Sequence, residues 1–468
     1  MTARSSTSVW IVSFDHLLAD ALSHAIPLAT ESGVEVVSPA AATDRLARNE
    51  TPALVILDLR TTSSWDLLPH LASAVQERAD RCPSIVGIAG ARMPLTHAVL
   101  ADQLIQEFLS WPADSSTLDA TLRSAMWKVE QSQGTTNEHR EVRGLDRVFK
   151  TFAPSMFSVM ERLEVVARHD FTVLLVGETG TGKTTFAQLI HDLSSRRSGR
   201  FLTVGCGALP RDVIDSELFG HMKGAFTGAD QTKEGKFEAA ADGSILLDEI
   251  DVLGLMQQAK LLRVLETGEF EPVGSNDTRQ VKTRTIVASN HCLETLIAKQ
   301  TFRADLYFRL NQVKLEIPPL RERREDIVPL AVEFIEECCR ENGISAEALE
   351  PSLPGRLKSY RWPGNVRELR NEVRRAVLFS RDGLISSDAL APEIVRDKPA
   401  QKPAEEKTAV SLAGEVALTE QAAIEQMLAA QNFNRAATAR ALGISRVTLY
   451  NKIRKYSIQI DPKSGEEA

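Results

Sequence analysis

Runs of apolar residues alternate with longer stretches of mixed polarity along the first part of the chain. Between Val9 and about Lys128, the runs "VWIV", "ALVILDL" and "SIVGIAG" are separated by segments with helical spacing. Strands that are buried on both faces of a parallel sheet appear in a sequence as nearly continuous apolar runs. The pattern therefore predicts a doubly wound parallel α/β domain over residues 1–128.

The same pattern returns after a polar break. The stretch "EQSQGTTNEHREVRG" predicts a linker over residues 129–146, and new candidate strands follow at "FTVLLVG", "FLTVGC", "GSILLDE" and "TRTIVAS". They predict a second, larger α/β region over residues 147–318, followed by a helical region over residues 319–395. The Pro-, Lys- and Glu-rich stretch "RDKPAQKPAEEKTAV" predicts a flexible linker over residues 396–416, and a small all-α domain follows over residues 417–468. The predicted fold class is thus multidomain α/β.

Composition narrows the possible functions. The chain has 468 residues, of which 43% are hydrophobic and 25% charged, and its net charge is −8. These are globular proportions, and the acidic balance means that any contact with DNA needs a local basic patch. The five cysteines form no C-x-x-C pair, and no apolar run approaches the roughly 20 residues of a membrane span. We expect a cytoplasmic protein with reduced thiols and no membrane segment.

A phosphate-binding loop follows the first strand of the second α/β region. In "VLLVGETGTGKTT" an apolar strand leads directly into G-x-x-x-x-G-K-T, and the helical pattern "TFAQLIHDL" comes after it. Backbone N–H groups of such a loop bind phosphates, Lys183 would reach the β- and γ-phosphates of ATP, and Thr184 would bind Mg²⁺. The candidate nucleotide-binding residues are Gly177, Glu178, Thr179, Gly180, Thr181, Gly182, Lys183, Thr184 and Thr185.

Two carboxylates end the later candidate strand "SILLDEI". Asp248 would bind Mg²⁺, and Glu249 would orient or deprotonate the attacking water. A lone Asp-Glu pair is usually a solvated strand end, but the phosphate-binding loop favours the catalytic interpretation. Asn290 ends "TIVASN", where a polar side chain can reach the γ-phosphate, although an asparagine there also suits a turn.

Three arginines are candidates for neutralising charge in the transition state. Arg303 and Arg309 lie in "FRADLYFRLN", and rings of subunits often supply such an arginine from the neighbouring subunit. Arg367 in "WPGNVREL" begins a predicted helix after a Pro-Gly turn and can reach back to the nucleotide from a helical lid. Ordinary salt bridges remain the alternative for each arginine.

The C-terminal segment "NFNRAATARALGISRVTLYNKIRKY" has the pattern of a helix, a turn at Gly443 and a second helix. It contains six basic residues and no acidic one, so it is a local basic patch in an acidic chain. DNA binding is favoured over a helix pair that serves only dimerisation. The candidate DNA-contacting residues are Ser445, Arg446, Thr448, Asn451 and Lys452.

The hexapeptide "GAFTGA" at residues 224–229 holds one aromatic ring and one hydroxyl between two glycines. Taken alone, it is compatible with an ordinary surface turn. Together with "GETGTGKT", "GSILLDEI", "FRADLYFRLN" and "WPGNVRELRN", however, it closely resembles the AAA+ domain of sigma-54-dependent transcription activators. The resemblance covers about residues 145–394, and the C-terminal segment resembles the Fis-type helix-turn-helix of the same activators.

The resemblance implies a P-loop ATPase with a helical lid that remodels the sigma-54 RNA polymerase closed complex. It implies that Phe226 and Thr227 contact sigma-54. By the same resemblance, Asp248 and Glu249 take the Walker B roles, Asn290 sensor I, Arg303 and Arg309 the trans arginines, with Arg309 as the finger, and Arg367 sensor II. A dimer on upstream double-stranded DNA and an active hexamer or heptamer are also implied.

Two positions depart from the family pattern. Gly205 stands where the family has an asparagine thought to hold the Walker B glutamate, so coupling between nucleotide and loop is expected to be altered. Thr184 stands where many relatives have glutamate, which is a return to the ordinary Walker pattern.

The N-terminal domain resembles a response-regulator receiver, with Asp58 at the end of "ALVILDL". Ser13 and Phe14 replace the acidic pair of a phosphorylatable receiver, Ala89 or Gly90 its hydroxyl residue, and Trp111 its lysine. We therefore interpret Asp58 as a remnant carboxylate rather than a phosphorylation site, and the domain as one that binds a partner protein, a regulatory ligand or its own twin.

The favoured function is an ATP-driven activator of sigma-54 RNA polymerase. A general AAA+ remodeller is the first alternative, but it needs neither the hexapeptide nor a DNA-binding C-terminus. A DNA-binding regulator with impaired ATPase coupling is the second, and it is suggested by Gly205.

Overall fold

The structure is a computed structural model, and the chain divides into two units, Met1–Lys398 and Pro399–Ala468. The described residues are 8–26, 33–48, 50, 52–76, 83–111, 114, 118, 120–122, 139–145, 147–396, 427–428, 431, 435–442, 446, 448–449 and 452.

The N-terminal domain is a five-stranded parallel sheet with helices between its strands. Its elements are β1 (Val9–Val12), α1 (His16–Ala25), β2 (Val34–Val37), α2 (Pro39–Ala47), β3 (Leu54–Leu59), α3 (Thr62–Trp65), α4 (Leu68–Gln76), β4 (Ser84–Ala89), β5 (Met93–Pro94), α5 (Leu95–Leu104) and β6 (Glu107–Leu109). The strand order β2-β1-β3-β4-β6 is the flavodoxin-like doubly wound order. Every residue of β1, β3 and β4 is buried, which is why their sequences are continuous apolar runs.

A second parallel sheet forms the centre of the chain. The elements of this region are β7 (Arg140–Arg143), β8 (Val148–Thr151), α6 (Pro154–Ala167), β9 (Val173–Val176), α7 (Lys183–Asp192), β10 (Phe201–Gly205), α8 (Arg211–Phe219), β11 (Gly220–His221), β12 (Lys233–Glu234), α9 (Lys236–Ala240), β13 (Ser244–Asp248), α10 (Leu255–Thr267), β14 (Glu269–Phe270), β15 (Arg279–Gln280), β16 (Arg284–Ser289), α11 (Leu293–Ala298), α12 (Ala304–Leu310) and β17 (Val313–Glu316). The sheet order is β10-β13-β16-β9-β17, so β9 lies between β16 and β17. This order brings the ends of β9, β13 and β16 to one edge of the sheet.

The predicted linker needs one correction. Residues 140–143, placed in the linker over residues 129–146, form β7, which pairs with β8. Val142 is buried in the apolar cluster under the central sheet, and this burial fixes the strand. The polar residues on both sides of Val142 give this strand the sequence pattern of a linker.

The helical lid follows the central sheet. It comprises α13 (Ile327–Asn342), β18 (Ala348–Leu349), α14 (Leu353–Ser359), α15 (Asn365–Leu378), β19 (Leu384–Ile385) and α16 (Pro392–Arg396). Leu369, Val373 and Val377 lie on one face of α15 and pack in a shared apolar core with α13.

The N-terminal domain and the lid share that core. Strand β5 pairs antiparallel with β18, which pairs on its other side with β19, so one three-stranded sheet contains strands from both domains. Buried residues Met93, Ala98 and Ala101 lie in the same apolar cluster as Val328 and Ala331 of α13. The two domains are therefore joined by backbone pairing as well as by apolar packing.

The C-terminal unit contains α17 (Arg435–Ala441). Leu428, Ala439 and Leu449 are buried.

Candidate functional site

The phosphate-binding loop lies between β9 and α7, as the sequence predicts. Gly180 has a φ of +80°, and a Cβ there would overlap the carbonyl oxygen of Gly364, so both the conformation and the space require glycine. Helix α7 begins at Lys183, whose backbone follows Gly182 in the left-handed region. The loop thus presents the N-terminus of a helix at the carboxyl edge of the sheet, where phosphate binds favourably.

The side chain of Lys183 connects the phosphate-binding loop to Asn290 at this edge of the sheet. It is buried, and its Nζ donates to the carbonyl oxygens of Gly177 (2.8 Å) and Glu178 (3.0 Å) and to Oδ1 of Asn290 (2.6 Å). Burial lowers the pKa of its ammonium group, whereas the carboxylates of Asp248 and Asp251 raise it.

The acidic pair lies beside Lys183. Asp248 ends β13, and its Oδ1 accepts a hydrogen bond from the backbone N–H of Glu249 (3.0 Å). Glu249 has a φ of +56°, and backbone strain of this kind is concentrated at functional sites. Nδ2 of Asn290 donates to Oε1 of Glu249 (3.3 Å). Asn290 therefore bridges the lysine and the glutamate, and the fold brings these predicted site residues together.

Asp251 is a site residue that the sequence reasoning missed. Its Oδ1 accepts from the hydroxyl of Ser289 (3.1 Å) and the backbone N–H of Asn290 (3.3 Å). It therefore anchors the end of β16 that carries Asn290. The sequence feature that could have indicated this role is the position of Asp251, two residues after Glu249.

The lid reaches the phosphate-binding loop through Asn365. This side chain is fully buried, donates from Nδ2 to Oε2 of Glu178 (3.1 Å) and to the carbonyl oxygen of Thr179 (3.0 Å), and accepts from the N–H of Leu320 (2.7 Å). The N–H of Val366 donates to the carbonyl oxygen of Gly180 (3.0 Å). Sequence reasoning did not assign Asn365, although it lies within "WPGNVREL".

Two arginines of the run "LRERRED" also contact the loop, and neither was assigned from the sequence. Arg321 makes a bidentate pair with Glu178 at 2.6 and 2.8 Å. Arg323 is almost fully buried, and its Nη2 donates to the carbonyl oxygen of Thr181 (2.7 Å). Both arginines bind residues of the phosphate-binding loop rather than a phosphate, and their spacing in the sequence gives no sign of this role.

The three predicted arginines have different surroundings. Arg367 lies close to the phosphate-binding loop: the Cβ of this residue would be 3.1 Å from a Cβ at Gly180, and its charge lowers the pKa of Lys183. Arg309 donates from Nε and Nη2 to the carbonyl oxygen of Leu265 at 3.0 and 2.8 Å, and Arg303 pairs with Asp305 at 2.6 Å. The side-chain partners of Arg303 and Arg309 therefore lie outside the phosphate-binding loop of their own chain.

Gly205 is open to a side chain. It pairs in register with Asp248, has ordinary extended dihedrals of −82° and 99°, and a Cβ there would meet the Cβ of Ala208 at 3.7 Å. At Gly207, by contrast, a Cβ would overlap Oε2 of Glu249. Hence the carboxylate of Glu249 lies over Gly207, whereas a Cβ at position 205 would make an ordinary van der Waals contact.

The remaining residues named for nucleotide and magnesium binding lie on the same loop and helix. Thr184 is exposed in the first turn of α7, and Thr185 is half-buried beside it. Hard oxygen donors such as the Thr184 hydroxyl and the Asp248 carboxylate suit Mg²⁺, which takes few protein ligands and completes its shell with phosphate oxygens and water.

The hexapeptide is a turn at the end of the β11–β12 ribbon. Gly224 and Gly228 have φ angles of +85° and +96°, which few other residues adopt. The N–H of Gly224 donates to the carbonyl oxygen of Ala229 (2.9 Å), and the N–H of Ala229 donates to that of Phe226 (3.0 Å). Thr227 is exposed, and Phe226 is 45% exposed.

The carboxylate of Asp58 in the N-terminal domain is paired within the domain. Asp58 is buried and accepts from the Ser13 hydroxyl (2.7 Å) and from Nε of Arg60 (3.0 Å), while Nη2 of Arg60 reaches Asp15 at 2.8 Å. Phe14 is 63% exposed. The guanidinium of Arg60 thus balances the charge of Asp58, and the Ser13 hydroxyl donates a hydrogen bond to it. Sequence reasoning did not foresee the role of Arg60, two residues away.

The predicted DNA-contacting residues are only partly described. Arg446 and Thr448 are exposed, and Lys452 is half-buried. Ser445 and Asn451 lie outside the described residues. Among the helices that the structure describes, none is long and apolar enough to cross a membrane.

Comparisons with known proteins match three separate ranges of the chain. Residues 150–316 match the family described as "Sigma-54 interaction domain", residues 321–407 the "AAA+ ATPase lid domain", and residues 415–456 the "Bacterial regulatory protein, Fis family".

Relatives match over different shares of the chain. The transcriptional regulatory protein FlbD of Caulobacter vibrioides is 34% identical over 461 residues, which are 95% of this chain and 96% of FlbD. The regulatory protein AtoC of Escherichia coli is 42% identical over 312 residues, 66% of this chain and 67% of AtoC. Among solved structures, NtrX from Brucella abortus in complex with ADP is 26% identical, covers 96% of this chain and 99% of its own, and has a TM-score of 0.49.

Proposed function

The chain belongs to the sigma-54-dependent transcription activators, and on this premise we propose that its hexapeptide tip couples ATP hydrolysis to remodelling of the sigma-54 RNA polymerase closed complex. As a member, it is an ATP-binding AAA+ ATPase and a DNA-binding transcription activator that acts with sigma-54 RNA polymerase. The observation that carries the proposal is the exposed tip formed by Phe226 and Thr227 on a ribbon of the ATPase subdomain.

The residues at the sheet edge have distinct proposed roles in hydrolysis. Lys183 binds the β- and γ-phosphates, and Glu249 orients and deprotonates the attacking water. Asn290, which contacts both, sets their relative position. Thr184 and Asp248 would hold Mg²⁺, which neutralises phosphate charge when bound. Arg367 contacts the nucleotide from the lid.

Arg309 and Arg303 are proposed to act on the nucleotide of the neighbouring subunit. The guanidinium of Arg309 bonds the backbone carbonyl oxygen of Leu265, and that of Arg303 bonds the carboxylate of Asp305. Both partners lie away from the phosphate-binding loop of their own chain, which suits a role across an interface. A hexamer or heptamer would supply that interface. Arg309 is the proposed finger, because its guanidinium bonds a neutral carbonyl oxygen, whereas that of Arg303 is paired with a carboxylate.

The C-terminal unit is proposed to place a dimer on double-stranded DNA upstream of the promoter. Exposed Arg446 and Thr448 support contacts with phosphates and base edges. The N-terminal domain is proposed to bind a regulatory ligand or protein rather than to accept a phosphoryl group, because Arg60 and Ser13 already pair with Asp58.

A second candidate function rests on Gly205. With no side chain at position 205, Glu249 has Asn290 as its side-chain partner within the described residues. ATP hydrolysis can then proceed without changing the conformation of the hexapeptide tip. The chain would then be a DNA-binding regulator with impaired ATPase coupling.

Thr227→Ala tests the proposed function. We expect normal ATP turnover and oligomer formation, because the phosphate-binding loop and the acidic pair lie outside the hexapeptide. Capture of sigma-54 in the presence of an ATP transition-state mimic should fall about tenfold, since one lost contact group is worth about 1–3 kcal/mol. Normal capture and promoter opening by this variant would refute the role of the tip, and wild-type protein that hydrolyses ATP without capture would favour impaired coupling.

A further inference from the structure

The tip of the hexapeptide rests on a histidine of its own ribbon. The ring of Phe226 meets the imidazole of His221 edge to face, with ring centroids 4.9 Å apart and an angle of 62° between the planes. His221 is 9% exposed, whereas Phe226 is 45% exposed. More than half of the surface of the phenylalanine is therefore covered within the chain, and part of the cover is an aromatic contact with preferred geometry.

The histidine is itself fixed. The hydroxyl of Ser216 on α8 and Nδ1 of His221 are hydrogen-bonded at 2.6 Å, and Ser216 is 5% exposed. The backbone around His221 is held on both sides, because His221 pairs with Lys233 across the ribbon and forms a bridge with Val273. The imidazole thus offers a rigid surface to the tip.

The tip has a second support at its other side. Ala225 packs against Gly274, where a Cβ would lie 2.7 Å from the Cβ of Ala225. The N–H of Ala225 donates to the carbonyl oxygen of Met222 (3.1 Å). Two glycines give the backbone of the hexapeptide more accessible conformations than other residues would, and these contacts restrict it before any partner arrives.

We propose that His221 is a positioning residue for the sigma-54-contacting tip: held by Ser216, it fixes the ring of Phe226 so that the tip is already ordered in the free protein. The inference rests on the proposed function of the hexapeptide. A loop that is ordered before binding loses less conformational entropy when it binds, so removal of His221 weakens capture without touching the chemistry of hydrolysis.

The test compares His221→Ala with His221→Phe in the full-length chain. Phenylalanine retains an aromatic surface for Phe226 but cannot bond Ser216. We expect His221→Ala to reduce capture of sigma-54, with an ATP transition-state mimic, by about three- to tenfold, the size of one aromatic contact. ATP turnover should stay within about twofold, and His221→Phe should recover at least half of the loss. Ser216→Ala should give a smaller defect than His221→Ala.

Hydrogen exchange gives a readout that does not depend on sigma-54. The amides of Ala225 and Ala229, which donate within the turn, should exchange faster in His221→Ala and near the wild-type rate in His221→Phe. In a Phe226→Leu background, the same histidine substitution should change their rates by less than about twofold, because the aromatic partner is gone.

The outcomes separate the inference from the proposed function. Unchanged exchange in His221→Ala, tighter capture, or equal loss of capture and ATP turnover would overturn the role of His221. If Thr227→Ala also captured sigma-54 normally, the proposed function of the tip would fail, and the exchange rates would still decide whether His221 orders it.

Discussion

At the scale of single residues, the environment of a side chain decides which chemistry its type can perform. Asp58 lies near the end of the buried strand β3, the place that the resemblance to a receiver assigns to a phosphoacceptor, yet its oxygens accept from Ser13 and Arg60. The hydrogen bond to Asp58 is the largest cause that raises the pKa of Arg60, so this guanidinium stays charged throughout the accessible pH range. The partly exposed guanidinium of Arg60 thus lies beside Asp58, where a phosphoacceptor would need a metal ion.

Asp58→Ala should destabilise the N-terminal domain. The substitution leaves the guanidinium of Arg60 and the hydroxyl of Ser13 without their buried acceptor, which costs about 1–3 kcal/mol. Thermal unfolding of the full chain should show a lowered first transition. An exposed ion pair of the same domain provides the control, since Glu50→Ala, which removes one of the two carboxylate partners of Arg45, should shift that transition less. Incorporation of phosphate at Asp58 from acetyl phosphate and Mg²⁺ would contradict this interpretation.

Gly205→Asn should change the coupling of hydrolysis to the tip. A Cβ at position 205 would meet the Cβ of Ala208 at 3.7 Å, an ordinary contact, and position 205 pairs with Asp248, the residue before Glu249. An amide there can compete with Asn290 for the carboxylate of Glu249, so we expect basal ATP turnover without sigma-54 to fall severalfold. Gly205→Ala, which adds no hydrogen-bonding group, is the matched control and should leave turnover near the wild-type rate. Equal turnover in all three proteins would show that position 205 does not act on Glu249.

At the scale of elements, the sequence predicted what depends on local pattern and missed what depends on contacts between distant segments. Buried strands β3, β9, β13 and β16 could be predicted because burial on both faces leaves a continuous apolar run. The phosphate-binding loop and the acidic pair could be predicted because their spacing is local. Asn365 and Arg323 could not, since each binds a loop more than 140 positions away along the chain. Two-residue strands such as β5 and β18 carry no periodicity at all.

Asn365→Ala should loosen the lid from the phosphate-binding loop. Its buried amide bonds the N–H of Leu320, the carboxylate of Glu178 and the carbonyl oxygen of Thr179, and its φ of +51° suits asparagine better than alanine. We expect a loss of about 2–3 kcal/mol in the stability of the central region, measured by urea unfolding, together with weaker ATP binding. Arg374→Ala on the same helix removes an exposed pair with Glu341 and should change neither quantity appreciably. ATP affinity equal to wild type would mean that the lid is positioned by other contacts.

At the scale of the whole molecule, separate units carry separate activities. The ATP site lies in the unit Met1–Lys398, and the helix-turn-helix match lies within residues 415–456. Lys183→Ala and Glu249→Gln should therefore abolish ATP turnover and leave operator binding nearly intact. Removal of residues 417–468 should abolish operator binding and leave ATP turnover nearly intact. Turnover and DNase footprints on the same preparations measure both activities. Equal loss of both in the Lys183 variant would contradict this separation.

Docking of the N-terminal domain on the lid connects this domain to the element that contacts the phosphate-binding loop. Asp102 on α5 pairs with Lys358 on α14 at 2.7 Å, and the two side chains are 9% and 30% exposed. Burial raises the pKa of Asp102, and the charge of Lys358 opposes that effect. Around this pair, Nη2 of Arg92 donates to the carbonyl oxygen of Asp382 (2.7 Å), and the N–H of Leu95 donates to that of Glu347 (2.9 Å).

Lys358→Asp should release this docking, and the double variant Asp102→Lys, Lys358→Asp should restore it. The single substitution puts two carboxylates together in a largely buried site. We expect the substitution to weaken the docking of the two domains by about 1–3 kcal/mol. This loss is smaller than for a fully buried pair, because Lys358 retains contact with water. Faster exchange of the Leu95 amide reports release of the strand pairing. Because α13 packs against both α5 and α15, and α15 begins at the phosphate-binding loop, release should also change ATP affinity. Exchange and affinity that remain at wild-type values in Lys358→Asp, or a double variant no better than the single one, would refute a role for this ion pair in docking.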